Sequence, residues 1–328
     1  LLDIDSYLKS INNKELSSDS LKMIIEEASK FACDELDTIN QIGDQEGIKL
    51  ENGVVRMPES FIKAYQNFVK TGWFSIIGEK KYGGQDLPLS AIVMINEIWH
   101  STNMSFATNN MLTQGAVELL ESHGNEKQKE YYLPNLISGK WSGTMNLTEP
   151  HAGSDLSSIK TKAIEKDKKF LIKGTKIYIT HGDQDMSDNI IHLVLAKLPN
   201  APDGVKGISL FLVPKYYLND KGTKIKNDIK VVSVEHKLGH HASPTCVLSF
   251  GENEGAVGDL VGEPNQGLKA MFTMMNNARL NVGVQGLAIS ERAYQKALSF
   301  SKERIQGYSL NKNITGPIEI IKLSLIHI

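Results

Sequence analysis

The densest cluster of chemically capable residues is Met145-Asn-Leu-Thr-Glu-Pro-His-Ala-Gly-Ser-Asp155. Thr148 and Ser154 supply hydroxyls, and Gly153 permits a close approach to the backbone. Exposed N–H groups in such a turn can cradle an anion such as a phosphate. A polar hairpin turn accounts for the same composition. A second cluster is Lys176-Ile-Tyr-Ile-Thr-His-Gly182. In a strand, Tyr178 and Thr180 point to one face, where they can stack on a flat ring and hydrogen-bond to it. A buried strand with a solvated end is the plainer account. His236, His240 and His241 invite a zinc site. No Cys or carboxylate completes a ligand set at suitable spacing, so a loop or solvated turn is expected there.

These clusters need elements to hold them. Residues 1–141 read as helical, with Leu21, Ile24, Ile25, Ala28, Phe31 and Ala32 at helical spacing. Pro58 opens a helix with Phe61, Ala64, Tyr65 and Phe68 on one face, and Pro88 opens another. Tyr82-Gly-Gly-Gln85 is a turn, and Asn125 caps a further helix. From residue 142 the period becomes two, in short runs such as Ile190–Ala196, Ile208–Val213 and Cys246–Phe250. Turn residues such as Asp203-Gly204 and Asn219-Asp220 separate them, and Lys166, Lys168 and Lys169 fall in a hairpin. This pattern predicts a small antiparallel barrel or sandwich. Helical period returns near Pro264 and runs unbroken to about Arg304, with Leu268, Met271, Met275, Ala278, Val282, Gln285 and Ala288 as one stripe. A second helix is expected after Gly316-Pro317. The fold class is therefore α+β: an N-terminal helical domain (1–141), a middle antiparallel β-barrel-like domain (142–262) and the start of a C-terminal helical bundle (263–328).

Composition bounds the rest. The chain has 328 residues, 41% hydrophobic and 23% charged, which excludes a disordered acidic tail, a collagen-like repeat and a membrane bundle. A net charge of −2 offers no basic excess for nucleic acid. Cys33 and Cys246 are expected as two buried thiols in a reducing, cytoplasmic compartment. The sequons at Asn103 and Asn146 are set aside, because no secretion signal follows Leu1. Leu323–Ile328 carries no cap or stop signal, and a fragment open at both ends is expected.

Thr-Glu-Pro-His-Ala-Gly-Ser-Asp155, followed by Tyr178-Ile-Thr180, resembles the acyl-CoA dehydrogenase flavoprotein family. The resemblance covers nearly the whole chain, including Tyr82-Gly-Gly84, Lys237–Leu248, Gly262–Leu268 and Asn277-Ala-Arg-Leu280. The wording of Gly182–Asp185, Glu235–Gly239 and Met271–Arg279 is similar to a large bacterial subgroup. The resemblance implies FAD between the β domain and the C-terminal helices. It places Met145, Leu147 and Thr148 along the flavin ring, with Thr148 at the pyrimidine edge. Tyr178 stands where most relatives carry Trp, and Thr180 matches the hydroxyl that bonds flavin N5. Ser154 matches a position near the FAD diphosphate and the acyl-CoA, Arg279 an active-site arginine, and Arg304 an arginine that contacts the FAD of a neighbouring subunit.

The implied reaction is α,β-dehydrogenation of an acyl-CoA thioester, with electrons passed to an electron-transfer flavoprotein. A homodimer or tetramer is implied as well. Most of the family carries the base Glu late in the C-terminal domain, so it is expected beyond Ile328. A minority carries it before the active-site arginine, where this chain has Ala278. Glu291 and Glu303 read as solvated, and Glu319 as part of the last helix. Without bundle partners, Met271, Met274 and Met275 are expected to be partly exposed. Two other functions fit the same residues: an oxidase on the same fold, and a non-catalytic binding module.

Overall fold

The computed structural model describes residues 3–11, 16–219, 221–311 and 313–323. Asp220 of the expected Asn219-Asp220 turn and the tail after Leu323 lie outside these. Helices α1 (Ile4–Ser10), α2 (Ser18–Phe31), α3 (Thr38–Glu46), α4 (Glu59–Lys70), α5 (Leu89–Thr102), α6 (Met104–His123) and α7 (Glu126–Ile137) come first. Their starts follow local chemistry. Pro58 and Pro88 precede α4 and α5 with φ already set, and Asn125 and Gln128 form a capping box at α7. Phe61, Ala64, Tyr65 and Phe68 all face inward, as their spacing predicts. They join Phe74, Trp99 and Phe106 in an aromatic core of edge-on contacts, with Phe68 5.3 Å from Trp99. One hairpin interrupts the helices, β1 (Lys49–Glu51) against β2 (Val54–Arg56). Each strand is only three residues long, too short to show a period in the sequence.

The middle of the chain forms a sheet from β3 (Trp141–Asn146), β4 (Lys162–Lys166), β5 (Lys169–Thr180), β6 (Asn189–Lys197) and β7 (Ile208–Pro214). After the side hairpin β8 (Tyr216–Leu218) and β9 (Lys224–Lys226) come β10 (Ile229–Val234), β11 (Thr245–Phe250) and β12 (Ala256–Val261). The eight-stranded sheet runs β10-β11-β5-β12-β7-β6-β3, with β4 beside β5 and β6. Its pairings are antiparallel except where β6 meets β3 and, at one residue pair, β4. Strands β6 and β7 are buried on both faces, which is why they read as continuous apolar runs.

Helix α8 (Gly267–Glu303) spans 37 residues. It begins against the backbone of Ser209 and Leu210, where a side chain at Gly267 would collide. Its buried positions are Gly267, Ala270, Met271, Met274, Asn281, Val284 and Ala288. The stripe is thus rotated from the expected one, and Val282 is exposed. Met271 and Met274 are buried rather than exposed, because α6 and β7 already cover them; Gly115 of α6 leaves room for Met274. Among the described residues no α-helix follows Gly316-Pro317, only a 3-10 turn at Ile320–Lys322. Instead β14 (Pro317–Glu319) pairs with β13 (Ile305–Tyr308), and Glu319 lies on that strand. Cys33 is exposed and only Cys246 is buried, which corrects the expectation of two buried thiols. No helix among the described residues is long and apolar enough to cross a membrane.

Candidate functional site

The two motif segments lie side by side. Strand β3 ends at Asn146, and the chain turns at Glu149, whose amide and carbonyl both bond to Ala152 (2.8 and 3.0 Å). The Ile177 amide of β5 donates to the Thr148 carbonyl at 2.9 Å. This brings Met145, Leu147 and Thr148 together with Tyr178 and Thr180. Opposite them, the register of β11 on β5 shifts between Cys246 and Leu248, so Ile177 and Tyr178 together face one residue. The bulge puts Tyr178 at φ +58° and leaves the residue 61% exposed. An aromatic residue at positive φ is a strained backbone position of the kind found at functional sites. Ser154 is exposed beyond the Glu149–Ala152 turn. Among the described residues, the amides of Thr148, Gly153 and Ser154 donate to no acceptor.

Behind these groups is a buried ion pair that the motif comparison did not single out. Lys176 Nζ lies 2.8 Å from Glu149 Oε1, with side chains 0% and 2% exposed. The same ammonium donates to the Leu147 carbonyl at 2.9 Å. The Glu149 carboxylate also accepts the Lys160 amide (2.6 Å), the Thr161 amide (3.1 Å) and the Thr161 hydroxyl (2.6 Å). Burial pushes the Glu149 carboxyl up, but the Lys176 charge and these donors outweigh it and hold it below its ordinary value. Burial pulls Lys176 down to about 8, opposed by the Glu149 charge. A signal for the pair was present: Lys176 shares the inward register of Ile172, and a lysine there requires a buried partner.

The histidines split into separate environments. His181 is buried at the end of β5, hydrogen-bonded to Ser243 (3.2 Å) and pushed by burial to about 3, so it is neutral. His241 bonds to Asp44 and Lys237 carbonyls, which raise it, while burial lowers His240. His236 is exposed. No group of three or more metal-ligating residues assembles among the described residues.

Arg279 and Arg304 stand apart from the strand segments. Arg279 is exposed on α8, its guanidinium 5.3 Å from the Phe272 ring centre. Arg304 follows α8, exposed, and its guanidinium meets Gln306 at 3.4 Å. No hydrogen bond or ion pair joins either to Thr148, Tyr178 or Thr180 among the described residues. A separate cleft between Tyr131 and Tyr216 shares no lining residue with the two segments. The strand site offers an exposed aromatic face, two hydroxyls and unused amides, with a buried charge pair behind the Leu147 carbonyl. That set suits a planar heteroaromatic ligand with a hydrogen-bonding edge.

Residues 18–140 match the acyl-CoA dehydrogenase N-terminal domain and residues 144–252 the acyl-CoA dehydrogenase middle domain. The chain is 46% identical to 3-methylmercaptopropionyl-CoA dehydrogenase of Ruegeria pomeroyi over 94% of its own length and 52% of that protein. It spans about half the length of the curated relatives it matches. Among solved structures, butyryl-CoA dehydrogenase of Megasphaera elsdenii superposes with a TM-score of 0.72 at 25% identity, over 91% of this chain and 73% of that one. An acyl-CoA dehydrogenase of Bacillus anthracis, solved with FAD, shares the fold with a TM-score of 0.74 at 23% identity, over 94% and 47%. The chain therefore belongs to the acyl-CoA dehydrogenase family, of which it carries the N-terminal and middle domains.

Proposed function

We propose that the protein carrying this chain performs FAD-dependent α,β-dehydrogenation of an acyl-CoA thioester, and that residues 142–262 supply most of the flavin site. The observation that carries this is the exposed Tyr178 ring at φ +58°, set beside Thr148 and Thr180 by the Ile177–Thr148 hydrogen bond. FAD, when bound, supplies the hydride acceptor. Tyr178 covers one ring face, Thr180 donates toward N5, and Thr148 with its backbone serves the pyrimidine edge. Met145 and Leu147 pack along the ring, and Ser154 with its free amide serves the diphosphate. Arg279 faces the substrate, and Arg304 serves the FAD of a neighbouring subunit in a dimer or tetramer. The family resemblance implies that the α-proton goes to a glutamate outside residues 1–328; within them, Glu149 is engaged by its donors. Electrons leave to an electron-transfer flavoprotein.

Relatives named for 3-methylmercaptopropionyl-CoA and for butyryl-CoA support the acyl-CoA class and leave the acyl chain open. The first test is the absorbance spectrum of the purified 328-residue chain before and after FAD is added. A bound flavin band is expected. In the whole natural protein, anaerobic acyl-CoA should bleach that band. Bound flavin that stays yellow with every acyl-CoA of the series overturns dehydrogenation and favours a binding module. Peroxide release under air identifies an oxidase.

A further inference from the structure

Glu149 and Lys176 begin a chain of polar contacts that ends on an unused backbone amide. Lys176 Nζ donates to the Leu147 carbonyl at 2.9 Å while Glu149 holds it at 2.8 Å. The Leu147–Thr148 peptide is trans, so its N–H points away from the lysine. That N–H donates to no acceptor among the described residues, although the next carbonyl, that of Thr148, is taken by Ile177. A cation on a peptide carbonyl polarises the peptide and strengthens its N–H as a donor. The fold alone does not require the charge. Glu149 has three other donors, and a buried ion pair contributes little net stability compared with a neutral pair of the same shape.

We infer that Lys176, held by Glu149, is a positioning and polarising residue for the flavin. Acting through the Leu147 carbonyl, it sharpens the Thr148 N–H as a donor to the electron-rich pyrimidine edge, raising both FAD affinity and flavin reduction potential. This rests on the FAD assignment above.

The test uses the whole natural protein that carries these residues, unchanged and in three variant forms. Two are charge-free pairs, Lys176→Met with Glu149→Gln and Lys176→Gln with Glu149→Gln. The third, Lys169→Met, removes a surface lysine from the same strand. Flavin fluorescence gives FAD affinity, dye equilibration gives the potential, and thermal unfolding without FAD gives the stability of the apo chain. Charge-free chains should fold, bind FAD about tenfold more weakly or worse, and show a lower potential. Lys169→Met should move neither quantity. A folded charge-free chain with unchanged affinity and potential overturns the inference. Failure of both charge-free chains to fold also overturns it, by assigning the pair to the fold. If the unchanged protein takes up no FAD, the cofactor assignment itself fails, and the inference with it.

Discussion

Strand β5 carries two lysine–carboxylate pairs of nearly equal length and opposite character. At its start, Lys169 meets Asp259 at 2.7 Å, with side chains 53% and 27% exposed. Near its end, Lys176 meets Glu149 at 2.8 Å, with almost no exposure. Distance does not distinguish them; solvent does. The outer pair is screened by water and holds two flexible side chains at an entropic cost that offsets most of its attraction. The inner pair has given up its hydration, so each partner depends on the other and on the surrounding donors. The difference teaches that removing one charge at the inner end strands its partner without water, whereas charge at the outer end is ordinary surface.

The comparison can be broken most forcefully by removing one inner partner. Lys176→Ala should destabilise the chain by about 3–5 kcal/mol, because an unpaired carboxylate is left buried. Denaturant unfolding measures this, and a loss below about 1 kcal/mol would make the two pairs equivalent. Next comes Gly174→Ala. A Cβ there would lie 2.8 Å from the Thr161 Cα, pressing on the residue that gives Glu149 two of its donors. Overpacking of this kind costs about 1–3 kcal/mol, and the apo melting temperature should fall accordingly.

Acid sharpens the contrast. Glu149 is held below its ordinary value of 4.5 in the folded chain, so the unfolded chain takes up its proton first as pH falls. Its contribution is complete above that ordinary value and is lost as pH drops through the folded one. Stability of the unchanged chain should therefore fall more steeply, as pH drops below about 5, than that of the charge-free chain with Lys176→Gln and Glu149→Gln, by at most about 1.4 kcal/mol per pH unit. Equal slopes in paired urea titrations would count against the assignment. The smallest effect belongs to the outer pair: Lys169→Met should shift stability by no more than about 0.5 kcal/mol in the same unfolding assay.

Much of this was legible in the sequence. The inward face of α4, the capped start of α7, the unbroken length of α8 and the buried run of β6 follow from side-chain period and capping chemistry, which are local. The Tyr178 and Thr180 cluster was legible by residue type alone. Its bulge was not, because that depends on the register of β11, which is nearly seventy residues further along the chain. The same limit hid the parallel pairing of β3 with β6 and the exact face of α8 that turns inward. The helix expected after Pro317 failed because three residues that pair with β13 hold a strand against their local period. Cys33 departs from its expected burial because burial of a cysteine is a tendency of the type, and a single residue on a helix can face either way.

The parallel pairing of β3 with β6 has a kinetic consequence. Trp141 pairs with Asn189, and the β4–β5 hairpin lies between them in the chain. The hairpin closes locally, whereas β3 must find β6 after a long loop has been drawn in. Lys176 is thus expected to stay hydrated through the early steps, until β3 delivers Glu149. Changes at Lys176 are then expected to speed unfolding while leaving the refolding rate nearly unchanged, the pattern of an interaction made after the transition state.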